Sequence, residues 1–185
     1  MTSRVLIVTG DAGESYETLY AKHRFEEAGW EALIAAPSKR RLHLVMHDFA
    51  EGWDTYIERG GYELPADTTF AEANVDDYQA VLLIGGRAPE YLRHDEQLLS
   101  LVRAFAERGK WLLSICHGIQ ILVAAGLVRD RQVTCYEHVR YEVEACGGHF
   151  VGAEAVCDGH LISAQTWQSH PDFYRLIFAK CGNPA

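Results

Sequence analysis

Trp111-Leu112-Leu113-Ser114-Ile115-Cys116-His117-Gly118-Ile119-Gln120-Ile121-Leu122 carries an apolar strand into a cysteine, a histidine and a glycine, and then into a helical segment. This pattern places a nucleophile on a turn. A thiol at such a junction sits where the first N–H groups of the helix lack intrahelical partners, so the helix is expected to favour thiolate and lower the thiol pKa. The same strand-turn-helix arrangement exposes the serine of hydrolase elbows, although the flanking glycines differ here. An isolated Ile-Cys-His is more often a small buried cysteine that only packs, so the rest of the chain has to decide.

Outward from this stretch, apolar β-type runs recur at residues 4–9, 31–36, 80–84 and 111–115, with helical segments between them. Tyr16, Leu19, Tyr20, His23 and Phe25 fall near helical spacing, and Ala28-Gly29 closes that segment. Leu98, Leu99, Leu101, Val102 and Phe105 make a second apolar face, closed by Arg108-Gly109. Short apolar strands joined by such helices predict an α/β fold, a mostly parallel sheet with helices on both faces. Residues 38–74 break the rhythm with strand pieces and turns, which predicts an excursion from the sheet, a hairpin that meets a partner subunit. Further on, residues 132–136 and 161–164 read as strands, 139–145 as a short helix, and 171–179 as a closing helix with Pro171 in its first turn.

The 185 residues suit a single domain, 1–185, with a sizeable core. A net charge of −9 argues against a nonspecific nucleic-acid partner and against an anionic membrane surface, since both need clustered Lys and Arg. No apolar run approaches the roughly 20 residues of a membrane span. Met1-Thr2-Ser3-Arg4 followed by Val5-Leu6-Ile7-Val8 is too brief for a signal peptide and reads as a first strand. Five cysteines, at 116, 135, 146, 157 and 181, are an odd number in a chain that needs no disulfide staples, which points to reduced thiols and a cytoplasmic location. None lies in a short metal-ligand motif with a histidine, so neither a metal nor a cofactor is expected.

In open α/β sheets, sites form at the carboxyl ends of the strands. Three stretches fall there: Gly10-Asp11-Ala12-Gly13-Glu14-Ser15-Tyr16-Glu17, Gly85-Gly86-Arg87-Ala88-Pro89-Glu90-Tyr91-Leu92, and Ser114-Ile115-Cys116-His117-Gly118. Together they resemble the PfpI intracellular protease family of the DJ-1/PfpI superfamily, over almost the whole chain. Tyr16-Glu17, His47-Asp48-Phe49 and His170-Pro171-Asp172-Phe173 support the resemblance, and the last two look closest to the plant tandem-domain members. Those members are associated with glutathione-independent glyoxalase activity, and the archaeal branch with peptidase activity. The resemblance implies a flavodoxin-like three-layer sandwich, of the class I glutamine-amidotransferase type, with Cys116 reactive on its elbow. It also implies Glu17 as the carboxyl beside the sulfur, His117 as the neighbouring acid or base, and Glu90 as a carboxylate orienting a histidine. In the PfpI branch that glutamate comes from a neighbouring subunit, which implies a homo-oligomer with Glu90 near the interface.

The chemistry of these residues can be argued directly. Adjacent side chains leaving a turn need not face each other, so Cys116–His117 pairing does not follow from their adjacency. Glu17 beside a thiolate would suffer repulsion and desolvation, both of which raise its pKa, so it can keep a proton and donate to sulfur. Gly85 and Gly86 bring backbone N–H groups close enough for an oxyanion, with Arg87 beside them as a substrate-binding candidate. His47, Tyr136, His138 and His170 are pocket or packing residues, and Trp30, Trp53, Trp111 and Trp167 read as core or interface. The leading expectation is a glyoxalase or related deglycase acting on a small carbonyl. A cysteine peptidase or amidase acting on a peptide is the alternative, and an oxidation sensor using Cys116 is a third reading.

Overall fold

Val5, Leu6, Ile7 and Val8 are wholly inaccessible to solvent, as the interior of a parallel sheet with both faces covered requires. They form β1 (Arg4–Val8) in a computed structural model that describes residues 3–182. Met1 and Thr2 of the opening stretch lie outside the described residues. Along the chain follow α1 (Ser15–Glu27), β2 (Glu31–Ala36), β3 (Arg41–Asp48), β4 (Ile57–Pro65), β5 (Thr68–Thr69) and β6 (Ala80–Leu83). Next come α2 (Pro89–Leu92), α3 (Glu96–Glu107), β7 (Trp111–Ile115), α4 (Ile119–Ala124), β8 (Gln132–Val133) and α5 (Arg140–Ala145). The chain closes with β9 (His149–Phe150), β10 (Ala155–Asp158), β11 (Leu161–Ala164) and α6 (His170–Cys181).

Seven strands form the central sheet in the order β10-β11-β7-β6-β1-β2-β5, parallel except for the antiparallel edge pair β10–β11. From β1 the chain moves outward to β2, and from β6 in the opposite direction to β7. Right-handed crossovers therefore put α1 and α3 on opposite faces and open a crevice where β1 meets β6. α6 joins α1, with Tyr20–Tyr174 ring centroids 5.2 Å apart and Phe25–Phe178 5.5 Å apart. This is the α/β sandwich expected from the strand rhythm. Among the described residues no helix is long and apolar enough to cross a membrane.

Three expectations change in detail. In α1 the buried stripe is Glu17, Thr18, Ala21 and Phe25, whereas Tyr16 is half exposed and His23 exposed. The inward face of α1 holds polar residues because it meets the sheet at the site, and the Thr18 hydroxyl donates to the Glu14 carbonyl at 2.7 Å. The strand expected at 132–136 stops at Val133, since the Thr134 N–H turns to the Ser163 hydroxyl instead of a ladder carbonyl. The excursion at 38–74 does contain a hairpin: β3 and β4 pair antiparallel, with an irregularity between His43 and Val45. Ala12 N–H donates to the His43 carbonyl at 2.7 Å and Val45 N–H to the Gly13 carbonyl at 2.9 Å, which hangs the hairpin over the carboxyl end of β1.

Candidate active site

β7 delivers Cys116 to the sheet edge with φ 57°, a left-handed conformation that a non-glycine residue holds only where its surroundings fix it. Neighbouring glycines allow the fit. A Cβ on Gly85 would lie 2.5 Å from Cys116 Cβ and 2.7 Å from Glu17 Oε2. At Gly118 a Cβ would run into the Leu83 carbonyl, so only glycine lets the elbow press against β6.

Glu17, fully buried in the first turn of α1, accepts the Gly85 N–H on Oε2 at 2.9 Å and lines the same cleft as the thiol, with its Oε1 buried and without a hydrogen-bond partner. Glu14, one residue before the helix, caps it by accepting the Glu17 N–H at 2.5 Å. Burial, and then the Glu14 charge, push the Glu17 carboxyl well above the usual carboxylate range. Cys116 is also pushed up, by burial first and the Glu17 charge second, while the N–H groups of His117 and Gly86 pull the other way. The lowered thiol pKa expected from the helix is thus not what the site produces. A helix of six residues beginning after a 3-10 turn exerts a weak dipole, and desolvation outweighs it. Cys116 and Glu17 form a buried pair that cannot carry two negative charges at once, so it holds at least one proton between them.

His117 does face the sulfur, with Nδ1 3.3 Å from Sγ. Burial, together with His47 and His138, brings its pKa down to about 4, so the ring is neutral near pH 7. Gly85 differs from its expected role: its N–H is taken by Glu17, and the donors near the sulfur are those of Gly86 and His117. Arg87 also departs from expectation, since its Nε and Nη2 donate to Glu58 at 3.2 and 2.9 Å rather than reaching over the thiol. Glu90 is exposed at the start of α2 and makes no hydrogen bond to His117 within the chain. Any orienting carboxylate on that histidine would have to come from elsewhere.

The hairpin supplies the other wall. His47 is buried, with Nε2 2.9 Å from Glu58 Oε2 and its ring stacked on Tyr56 at 4.0 Å. Phe49, Tyr56, Tyr136, Thr166 and Trp167 complete a cleft over Cys116, Glu14 and Glu17 with about 10 Å³ of free space, room for roughly one water molecule.

Residues 3–180 match the model of the DJ-1/PfpI family. The chain belongs to that family. It is 34% identical over 186 residues to protein DJ-1 homolog D of Arabidopsis thaliana, covering 97% of this chain and 48% of that protein. It is 36% identical over 162 residues to a Pyrococcus abyssi protein named a deglycase, covering 88% of this chain and 89% of the other. Among solved structures, a two-domain protein from Anabaena variabilis with DJ-1/ThiJ/PfpI-like and ferritin-like domains superposes with a TM-score of 0.87 at 24% identity, over 97% of this chain and 48% of that one. The chain thus spans about half the length of the plant protein and the two-domain protein, and most of the archaeal one.

In this DJ-1/PfpI chain the structure brings together Cys116, His117, Glu17, Gly85 and Gly86, leaves Glu90 exposed, and adds residues that sequence reading passed over. Glu14, Tyr56 and Glu58 gave no signal because they belong to a helix cap and an irregular excursion. Trp167, read as core or interface, lines the cleft and donates its indole N–H to the His47 carbonyl at 3.2 Å. His170 lies behind the site, stacked on Tyr20 at 4.4 Å.

Proposed function

We propose that the chain is a cysteine-dependent, glutathione-independent enzyme of small reactive carbonyls, turning methylglyoxal into lactate or releasing early dicarbonyl adducts as a deglycase. The observation that carries this reading is a buried thiol 3.3 Å from a neutral imidazole, with the upward-shifted Glu17 carboxyl lining the same small cleft. Archaeal relatives named deglycases at 36% and 35% identity support the same class of chemistry.

Sγ adds to the aldehyde carbon, and the proton shared by Cys116 and Glu17 passes to the new alkoxide, giving a hemithioacetal. Glu17, now a carboxylate, takes the C–H proton and returns it to the adjacent carbon. The resulting thioester is hydrolysed to the hydroxy acid, which restores the thiol. The Gly86 and His117 N–H groups are the donors best placed for the oxyanion. A peptidase needs a carboxylate oriented on His117, which Glu90 does not supply within the chain, so that reading has less support.

The test is D- and L-lactate formation from methylglyoxal, free or preformed as its N-acetylcysteine adduct, without glutathione, in wild type and Cys116→Ala. Lactate that disappears in the variant is the expected result, and faster turnover of the adduct would favour the deglycase form. No lactate from either substrate with folded wild-type protein would end the carbonyl reading.

A further inference from the structure

Among the buried polar atoms without a hydrogen-bond partner, one lies on a ring that lines the cleft and is unused by the chemistry above. His47 Nδ1 is inaccessible and has no hydrogen-bond partner, although its ring lines the same cleft as Cys116 and Glu17. The other ring nitrogen is committed. Glu58 accepts two hydrogen bonds from Arg87, which holds its carboxyl below the usual range, and an ionised carboxylate offers only lone pairs. Nε2 therefore carries the ring proton, donated to Glu58 across 2.9 Å, and Nδ1 presents a free lone pair. Stacking on Tyr56 fixes the ring plane, and the His47 and His117 centroids are 6.5 Å apart.

Conversion of a dicarbonyl hemithioacetal into a thioester moves two protons. One goes from the first carbon to the second, the transfer given above to Glu17. The other goes from the first oxygen to the second, and it needs a base that takes up a proton and gives it back. Among the described residues no carboxylate bonds the His117 ring, which faces the sulfur, whereas His47 has an ionised Glu58 behind it.

We propose that His47 is a catalytic residue that takes the hydroxyl proton from the first oxygen of the bound hemithioacetal and delivers it to the second, with Glu58 and Arg87 as positioning residues. This rests on the carbonyl reading. The balance closes without a further reactant: the O–H bond on the first oxygen breaks as its C=O bond forms, and the same proton ends on the second oxygen. The titratable and charged groups around His47 are Glu58, Arg87, Tyr56 and His117, with Cys116, Glu17 and Tyr136 lining the same cleft and Glu14 accepting the His47 backbone N–H at 3.4 Å.

The experiment measures lactate turnover and the Cys116 adduct, by intact mass, for the full chain with methylglyoxal. In His47→Gln, kcat falls about 100-fold with KM little changed, while the Cys116 adduct accumulates. Glu58→Gln keeps the shape and removes the charge that favours the imidazolium. Its kcat falls about 10-fold, and the acidic limb of its pH profile moves to lower pH, a shift that a merely structural role would not produce. Active wild type with an equally active His47→Gln overturns this inference alone. Loss of the adduct together with lactate in His47→Gln also overturns it, since the residue then shapes the pocket. If His47→Gln does not fold, Glu58→Gln decides, and an unmoved limb rejects the proposal. Inactive wild type removes the carbonyl reading and this inference with it.

Discussion

The central sheet and the β3–β4 hairpin face each other across Cys116 and follow different rules. β1 and β6 are buried along nearly their whole length, and they place Glu17, Gly85 and Gly86 through the loops at their ends. β4 is mostly exposed, yet the hairpin sets His47 and Tyr56 over the same sulfur, with Glu58 bonded to the His47 ring and Tyr56 stacked on it. The sheet gains its position from apolar burial throughout, whereas the hairpin buries Leu42 and Leu44 of β3 in the same core and ties the exposed β4 down with polar contacts and ring stacking. Stability and chemistry are therefore distributed unequally: the sheet carries most of the stability, while both regions supply reacting groups.

The comparison implies a graded set of outcomes. Cys116→Ala should lower lactate formation by at least about 1,000-fold, roughly 4 kcal/mol in the barrier, with little change in melting temperature. In the sheet, Leu82→Ala removes a side chain with no solvent exposure and should cost about 2–5 kcal/mol in denaturant unfolding. A sheet that tolerated this loss would break the contrast with the hairpin.

His170 sharpens it from behind the site. Both ring nitrogens are buried without partners, and burial brings its pKa down to about 4. The folded protein resists protonating this ring while the unfolded chain protonates it near the ordinary value of about 6.5, so wild type loses the contribution as pH falls from 6.5 toward 4. Glu17 acts oppositely in that window, because the folded state keeps its proton longer than the unfolded chain does. The difference between variants isolates the histidine. His170→Phe should gain on wild type by about 1.4 kcal/mol for each pH unit through this window, measured by urea unfolding. Parallel stability curves would refute that role. The smallest effect belongs to the outer hairpin, where Tyr62, 68% exposed, should change to Ser within about 0.5 kcal/mol. A cost comparable to that of Leu82→Ala would show the hairpin to be a structural support.

Much of the fold could be read from local pattern. Residues 31–36 and 111–115 become strands as expected, and every member of the 98–105 apolar stripe is buried in α3. Cys116 could be found because it lies at a strand end, where a turn restricts what the side chain can do, whereas Glu17, in the first turn of α1, is legible only through the family resemblance. Glu58 and Tyr56 could not be found. Their spacing in residues 38–74 carries no period, and they meet His47 only because a register irregularity and two backbone hydrogen bonds set the hairpin on β1. The helix dipole at the thiol is visible in the order of residues, whereas the desolvation that outweighs it is not.

The sequence by itself determined the strand order along the chain, the helices between, and a cysteine on an elbow, because backbone periodicity and turn chemistry act over a few residues. Only the tertiary structure decided which carboxyls lie near the sulfur, which backbone N–H groups remain for substrate, and that thiol and carboxyl together keep at least one proton. Those outcomes depend on burial and on distances between groups far apart in the chain, as with Gly85 and Glu17, and no local pattern records them.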